Sequence, residues 1–221
     1  MTDFLYPFIE SDERDAAGLL ADLAASAEAK ETESRALAAE TLERLAGEVA
    51  AVAEAMAARL ASGGRVLTFG NGGSSNDAAA LAALMARRDR GRPLPARNLA
   101  ADPGVLSALG NDVGFELVFS RQVIAHGGPA DVAVGFSTSG NSANLLAAFA
   151  EAKRLGMLTV GFAGYDGGEM ARSDAVDHCL VVRSQSVHRI QEAQSALCLA
   201  LWSALRDRLA GMETSPQGAG R

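Results

Sequence analysis

The sequence predicts an α/β fold, a parallel sheet with helices on both faces, preceded by N-terminal helices. Three observations carry this. Short apolar runs, such as Val66-Leu67-Thr68-Phe69 and Val132-Ala133-Val134, alternate with longer stretches rich in Ala and Leu. Two of the runs pass at once into a turn of Gly, Ser and Asn, and then into a helical pattern. Alanine supplies 45 of the 221 residues, so helices are expected to be abundant and to pack closely. Strand, turn and helix in steady alternation is the order of βα units, whose strands pair in parallel and whose helices cover both faces.

Residues 13–61 read as helix, being rich in Ala, Glu, Leu and Arg and free of proline. Leu19, Leu20 and Leu23 open an apolar stripe, and Leu37, Leu42, Leu45, Val49, Val52, Met56 and Leu60 continue one at mostly three- and four-residue steps. The polar stretch 30–34 predicts a break, giving helices at 13–29 and 34–61, with Gly63-Gly64 as the stop. Such helices pack on their own domain or on a second subunit, and Ala53 and Ala57 are expected at a subunit contact.

A strand is expected at 65–69, followed by the turn Gly70-Asn71-Gly72-Gly73-Ser74-Ser75 and a helix over 76–88. A second strand is expected at 96–100, and 106–127 reads as helix interrupted by a turn at Gly110-Asn111-Asp112. The remaining strands are placed at 131–136, 158–162 and 179–182, with helices from Ser142 to Leu155 and over 187–209. This divides the chain into an interface-forming helical segment at 1–61, an α/β domain at 62–212 and a flexible tail at 213–221.

Composition removes several classes. Twenty basic against 27 acidic residues give a net charge of −7, which disfavours duplex nucleic acid and anionic membrane. Aromatic residues are 5%, too few for a base-stacking platform. No apolar run reaches membrane-spanning length, and the N-terminus lacks the basic and apolar regions of a signal peptide, so a cytoplasmic location is expected. Cys179 and Cys198 sit among apolar neighbours without metal-finger spacing and read as buried free thiols.

The two turns carry the chemistry. In open α/β sheets, ligands collect at the carboxyl ends of strands. The glycines of 70–75 let backbone approach a ligand at a helix start, where N–H groups are unpaired. The turn at 137–142 sets the hydroxyls of Ser137, Thr138, Ser139 and Ser142 around Gly140, again at a helix start. Hydroxyls and a positive helix end favour a phosphate without a net positive protein. Both turns also read as ordinary caps and packing turns. The first turn is not a nucleotide P-loop, since no Lys-Ser/Thr pair follows, nor a dinucleotide fingerprint.

With both turns placed, the sequence resembles the sugar isomerase (SIS) domain family, and within it the bacterial phosphoheptose isomerases. The likeness is carried by GNGGS at 70–74, GNDVGFELVFSRQV at 110–123, STSGNSAN at 137–144, GYDGGEMA at 164–171 and RIQE at 189–192. The resemblance implies a five-stranded parallel sheet between helices and a homotetramer with sites at subunit boundaries. It implies phosphate binding by Ser74, Ser137, Thr138, Ser139 and Ser142, and substrate contact by Asn71, Gly72, Gly73, Arg88, Asp112 and Gln191. The segment before residue 35 is longer than usual for the family, and the stretch FLYPFIESDERD within it has no counterpart role.

One departure stands out. The isomerases carry a His and a Glu four residues apart on the helix after GNGGS, and a second His eight residues after the Gln of RIQE. Some members hold zinc among these groups. Here the positions are Ala80, Leu84 and Leu199, and Gln191 alone remains. Aldose–ketose isomerisation needs a base near the substrate carbon and an acid near the carbonyl oxygen, which Ala and Leu cannot supply. Zinc would lose three of its four ligands, so no cofactor is expected. The weak substitutes are His188, where the family often has an acidic residue, and Asp112; Asp77, Glu192 and His126 lie in or beside resembling segments, and His178 reads as structural. The expectation is a phosphosugar-binding protein with lost or altered sedoheptulose 7-phosphate isomerase activity. The alternatives are an isomerase with relocated acid/base groups, a subunit completed by a competent paralogue, or a tetrameric adaptor like the protein that associates with the bacterial replication initiator.

Overall fold

The structure, a computed structural model, describes residues 16–88 and 91–214. The stretch FLYPFIESDERD and residues 215–221 of the tail expected at 213–221 lie outside the described residues, whereas 213–214 end the last helix. The chain divides into two units, Met1–Ala36 and Leu37–Arg221.

Helix α1 (Ala16–Ala61) is one helix of 46 residues, not the two expected. The polar stretch 30–34 does not break it, because Lys and Glu are good helix formers and local bonds support the turn. Glu31 and Arg35 pair four residues apart at 2.5 Å, and the Thr32 hydroxyl donates to the Glu28 carbonyl at 2.9 Å. In the first unit, Leu19, Leu20 and Leu23 are exposed, Leu20 to 66%.

The second unit is built on five parallel strands: β1 (Val66–Gly70), β2 (Ala96–Asn98), β3 (Val132–Ser137), β4 (Leu158–Gly164) and β5 (His178–Val182). Their order is β2-β1-β3-β4-β5, and its reversal beside β1 puts helices on both faces. β1 and β3 run side by side, with Gly70 opposite Phe136. The strands β1, β3 and β4 are buried along their whole length, which explains their mostly apolar sequences.

One face of the sheet packs against α1, α2 (Gly73–Met85) and α6 (Val187–Thr214), with Val66, Val134, Phe136, Val160 and Phe162 meeting Val52, Met56, Leu81 and Leu197. Ala53 and Ala57 lie in this core, 0% and 1% exposed, and not at an outer contact as expected. The other face packs against α4 (Val118–His126) and α5 (Ala143–Arg154) around a cluster in which the Phe69 ring lies 5.6 Å from that of Phe119 and 5.2 Å from that of Phe149.

Two boundaries differ from expectation in ways that matter. Helix α2 begins at Gly73, three residues early, because Gly72 takes a φ of +51° and turns the chain straight from β1 into the helix. Residues 110–112 are not a turn. They end helix α3 (Pro103–Asp112), whose start is capped by the Asp102 carboxylate, and the chain reverses after it at Gly114.

The C-terminal end of α2 is held from α6. The buried guanidinium of Arg206 donates to the carbonyls of Met85 and Arg87, each at 3.0 Å, and to that of Arg92 at 2.7 Å. The Met85 carbonyl is the last of α2, one of those a helix end leaves unpaired, and the other two belong to the chain just beyond it. Among the described residues no helix is long and apolar enough to cross a membrane.

Candidate functional site

From β1 the chain moves outward to β2, then crosses back past β1 to β3. The strand order therefore reverses between β1 and β3, and a crevice opens where their carboxyl ends diverge. The turns at 70–75 and 137–142 stand on the two sides of that crevice, so the fold brings together the two segments singled out in the sequence.

They are joined directly. The side-chain amides of Asn71 and Asn144 face one another and exchange two hydrogen bonds of 2.9 Å. In the second turn the Ser137 and Ser142 hydroxyls lie 3.0 Å apart, and the Ser137 Oγ also accepts from the Gly140 amide at 3.1 Å. Ser142 occupies the N-cap position of α5 but its side chain caps no N–H, so an ordinary cap does not account for it. Ser139 Oγ accepts from the Asn141 amide at 3.2 Å. Thr138 and Ser139 are half-buried, and Ser74, in the first turn of α2, is 5% exposed.

A third segment braces the second turn. Gly140 has a φ of +67°, and a side chain there would meet the Gly167 carbonyl oxygen at 2.1 Å. The Thr138 carbonyl accepts from the Gly164 amide, and Asn141 Oδ1 accepts from the Glu169 amide at 2.8 Å. Helix α6 closes the crevice from above. Ile190 packs on Gly164, and the Gln191 amide lies so close on Gly73 that a Cβ there would be 2.2 Å from Nε2. Gly73 therefore doubles as the seat of Gln191.

The other expected residues are placed less centrally. Arg88 is exposed just beyond α2, His188 is exposed in the first turn of α6, and Asp112 is exposed at the end of α3, where Asn111 donates to it at 2.9 Å. Among the described residues no hydrogen bond joins either weak catalytic candidate to the paired turns. His126 lies at the far end of α4, bonded to Arg97 at 2.8 Å. Burial, then the charges of Arg97 and Arg65, hold its pKa below the usual histidine value. Cys198 is buried, Cys179 is half-buried, and both are free thiols; burial pushes Cys179 up to about 12, with the Glu48 charge adding to it.

Along α2, the family's acid/base positions are hydrocarbon. Ala80 is exposed, Leu84 is half-buried, and Leu199 on α6 is 53% exposed. The zinc of some family members does not fit this donor set, since Gln191 alone offers a donor atom. Among the described residues no group of three His, Cys, Asp or Glu side chains could hold a metal ion. One carboxylate does sit on α2. Asp77 is buried and accepts from the Ser195 hydroxyl at 3.3 Å, and burial lifts its pKa to about 6, with that hydrogen bond acting the other way. Sequence reasoning named Asp77 but gave it no place, and it missed Asn144 and Ser195. Their partners lie 73 and 118 positions away, and no local pattern announces such pairs.

The sheet order and the paired turns define an open α/β domain with its two turns at the point where the strand order reverses, and the family model described as SIS domain matches residues 31–164. A phosphoheptose isomerase from Burkholderia pseudomallei is 49% identical over 157 residues, covering 70% of this chain and 79% of that one. The chain belongs to the phosphoheptose isomerase family of SIS-domain proteins. Its fold matches the phosphoheptose isomerase structure from Neisseria gonorrhoeae at a TM-score of 0.78, with 37% identity over 84% of this chain and 99% of the other. The Francisella tularensis phosphoheptose isomerase gives a TM-score of 0.77 and 30% identity over 82% and 97%.

Proposed function

We propose that this protein binds a phosphorylated sugar at the crevice between β1 and β3 and has no appreciable sedoheptulose 7-phosphate isomerase activity. One contrast carries the reading. The hydroxyl turn at 137–142 and its bridge to Asn71 are intact, whereas Ala80, Leu84 and Leu199 can neither take nor give a proton. The hydroxyls of Ser74, Ser137, Thr138, Ser139 and Ser142, with the amides opening α2 and α5, hold the phosphate. Asn71, Gly72, Gly73 and Gln191 contact the sugar, and Arg88 and Asp112 serve the same ligand from the rim. No zinc is used. The family's assembly as a homotetramer is part of the proposal, supported by the exposed leucines Leu19, Leu20, Leu23 and Leu199. A cytoplasmic location completes it.

The test is an NMR assay of the purified protein with sedoheptulose 7-phosphate, with and without added zinc, beside calorimetric binding of the same compound. Binding without turnover is expected, since each missing acid or base group contributes about 10²–10⁴-fold. Turnover at a rate normal for an isomerase overturns the inactive assignment. In that event Asp112→Ala and His188→Ala identify which relocated group carries the chemistry.

A further inference from the structure

The seam between α2 and α6 holds a polar contact that phosphate binding leaves unexplained. Asp77 Oδ1 accepts from Ser195 Oγ at 3.3 Å, while Asp77 Oδ2 is buried with no hydrogen-bond partner among the described residues. The same Ser195 hydroxyl lies 3.1 Å from the main-chain carbonyl of Gln191, one turn earlier on α6. A hydroxyl has one proton, so the carboxylate and the carbonyl compete for it. Asp77 lies four residues after Gly73, and Ser195 four after Gln191, which stacks each pair on one helix face. The Asp77–Ser195 contact is thus the rung directly below the Gly73–Gln191 contact.

The Arg206 guanidinium sits at the far end of the same seam, on the Met85 and Arg87 carbonyls, and Asp77 is the ionising group near its start. α2 and β1 carry no other ionisable side chain. α6 presents the Cys198 thiol, which burial, reinforced by the Asp77 charge, pushes well above its usual range, so that it stays neutral. α1 meets this layer with Val49, Val52 and Met56.

We propose that Asp77 and Ser195 are positioning residues for Gln191: by competing for the Ser195 hydroxyl, the Asp77 carboxyl sets the back-bond to the Gln191 main-chain carbonyl and with it the bend of the first turns of α6, and so how Gln191 lies on Gly73 and how tightly the crevice holds an anionic ligand. The proposal rests on the crevice being the phosphosugar site. An ionised Asp77 draws the hydroxyl proton away from the Gln191 carbonyl. It also sets a negative charge one turn inside the helix start that faces the phosphate. A protonated Asp77, its proton taken from solvent, frees the hydroxyl for the carbonyl and removes that charge. Ionisation therefore weakens ligand binding.

Calorimetry with sedoheptulose 7-phosphate from pH 5 to pH 8 tests this in wild type, Asp77→Asn, Ser195→Ala and the double variant Ser139→Ala/Ser142→Ala. A sugar phosphate itself loses its second proton near about pH 6, and that effect is common to all variants. The informative quantity is the ratio of wild-type to variant affinity. It is expected to fall about fivefold across the range for Asp77→Asn. Ser195→Ala removes only an exposed hydroxyl, so it carries the test should Asp77→Asn fail to fold; it is expected to flatten the wild-type profile in the same sense. A ratio constant with pH for both variants overturns the positioning role. If the double serine variant binds as wild type, the site reading itself falls; if that variant weakens binding while the ratios stay flat, the positioning role alone falls.

Discussion

Asn71 lies in the turn after β1 and Asn144 at the start of α5, yet each amide donates to the other's oxygen at 2.9 Å. This reciprocal pair fixes the width of the crevice, because Asn71 follows β1 directly and Asn144 lies in the first turn of α5. Asn144→Ala strands the Asn71 amide opposite a methyl group. The expected loss is about 1–3 kcal/mol of stability in chemical denaturation, with weaker sugar-phosphate binding in calorimetry.

The hydroxyl turn is tested by removing its oxygens. Ser139→Ala/Ser142→Ala is expected to weaken phosphosugar binding by about 1–3 kcal/mol, the cost of losing hydrogen bonds to a charged group. The unphosphorylated sugar should bind far more weakly than the phosphorylated one, and should respond little to the same change. Calorimetric titration of both ligands checks this.

Gly140 tests the brace behind that turn. Its φ of +67° disfavours any other residue, and a methyl group would strike the Gly167 carbonyl. Gly140→Ala is expected to cost about 1–3 kcal/mol and to lower the thermal midpoint, because the backbone of one of the two turns must shift.

Asp77 makes a statement about pH and stability. Its carboxyl titrates at about 6 in the folded chain, against an ordinary value of 3.8. A raised pKa means that the folded state holds its proton more tightly than the unfolded state. The stability it contributes is present in full below the ordinary value and is lost as pH rises through the folded value. Thermal unfolding of wild type should therefore show a component declining from about pH 4 to about pH 6 and level above it. Asp77→Asn should lack that component.

Ala53 separates folding from assembly. A larger side chain was expected to disturb a subunit contact, but Ala53 has no exposed surface within its own chain. Ala53→Phe is expected to destabilise by about 1–3 kcal/mol through overpacking, with a loss that does not depend on protein concentration. A concentration-dependent loss would locate Ala53 at an interface instead.

Much of this architecture was legible from local pattern. The runs at 66–69, 132–136 and 158–162 are apolar but for Thr68 and Thr159 because those strands are covered on both faces. The Gly and Ser turns were legible because a chain passing from strand to helix in so few residues needs small side chains. Errors arose where composition and packing disagree. The stretch at 30–34 is polar but keeps its helix through neighbouring side chains. Gly110, Asn111 and Asp112 are turn formers, yet the capped start of α3 carries helix through them. The site was legible in part: the hydroxyl turn could be read, but the seating of Gln191 on Gly73 and the burial of Asp77 depend on α6 returning across the sheet. No local pattern encodes that return.

Helix α2 is anchored at its two ends by different means, with Gln191 lying on Gly73 at one end and Arg206 gripping the Met85 and Arg87 carbonyls at the other. Neither anchor involves residue 80 or 84. Positions 80 and 84 can therefore carry hydrocarbon in place of polar side chains while both anchors hold. On the proposed function, recognition and turnover are separable traits in such a scaffold, and a lineage can abandon the second without forfeiting the first.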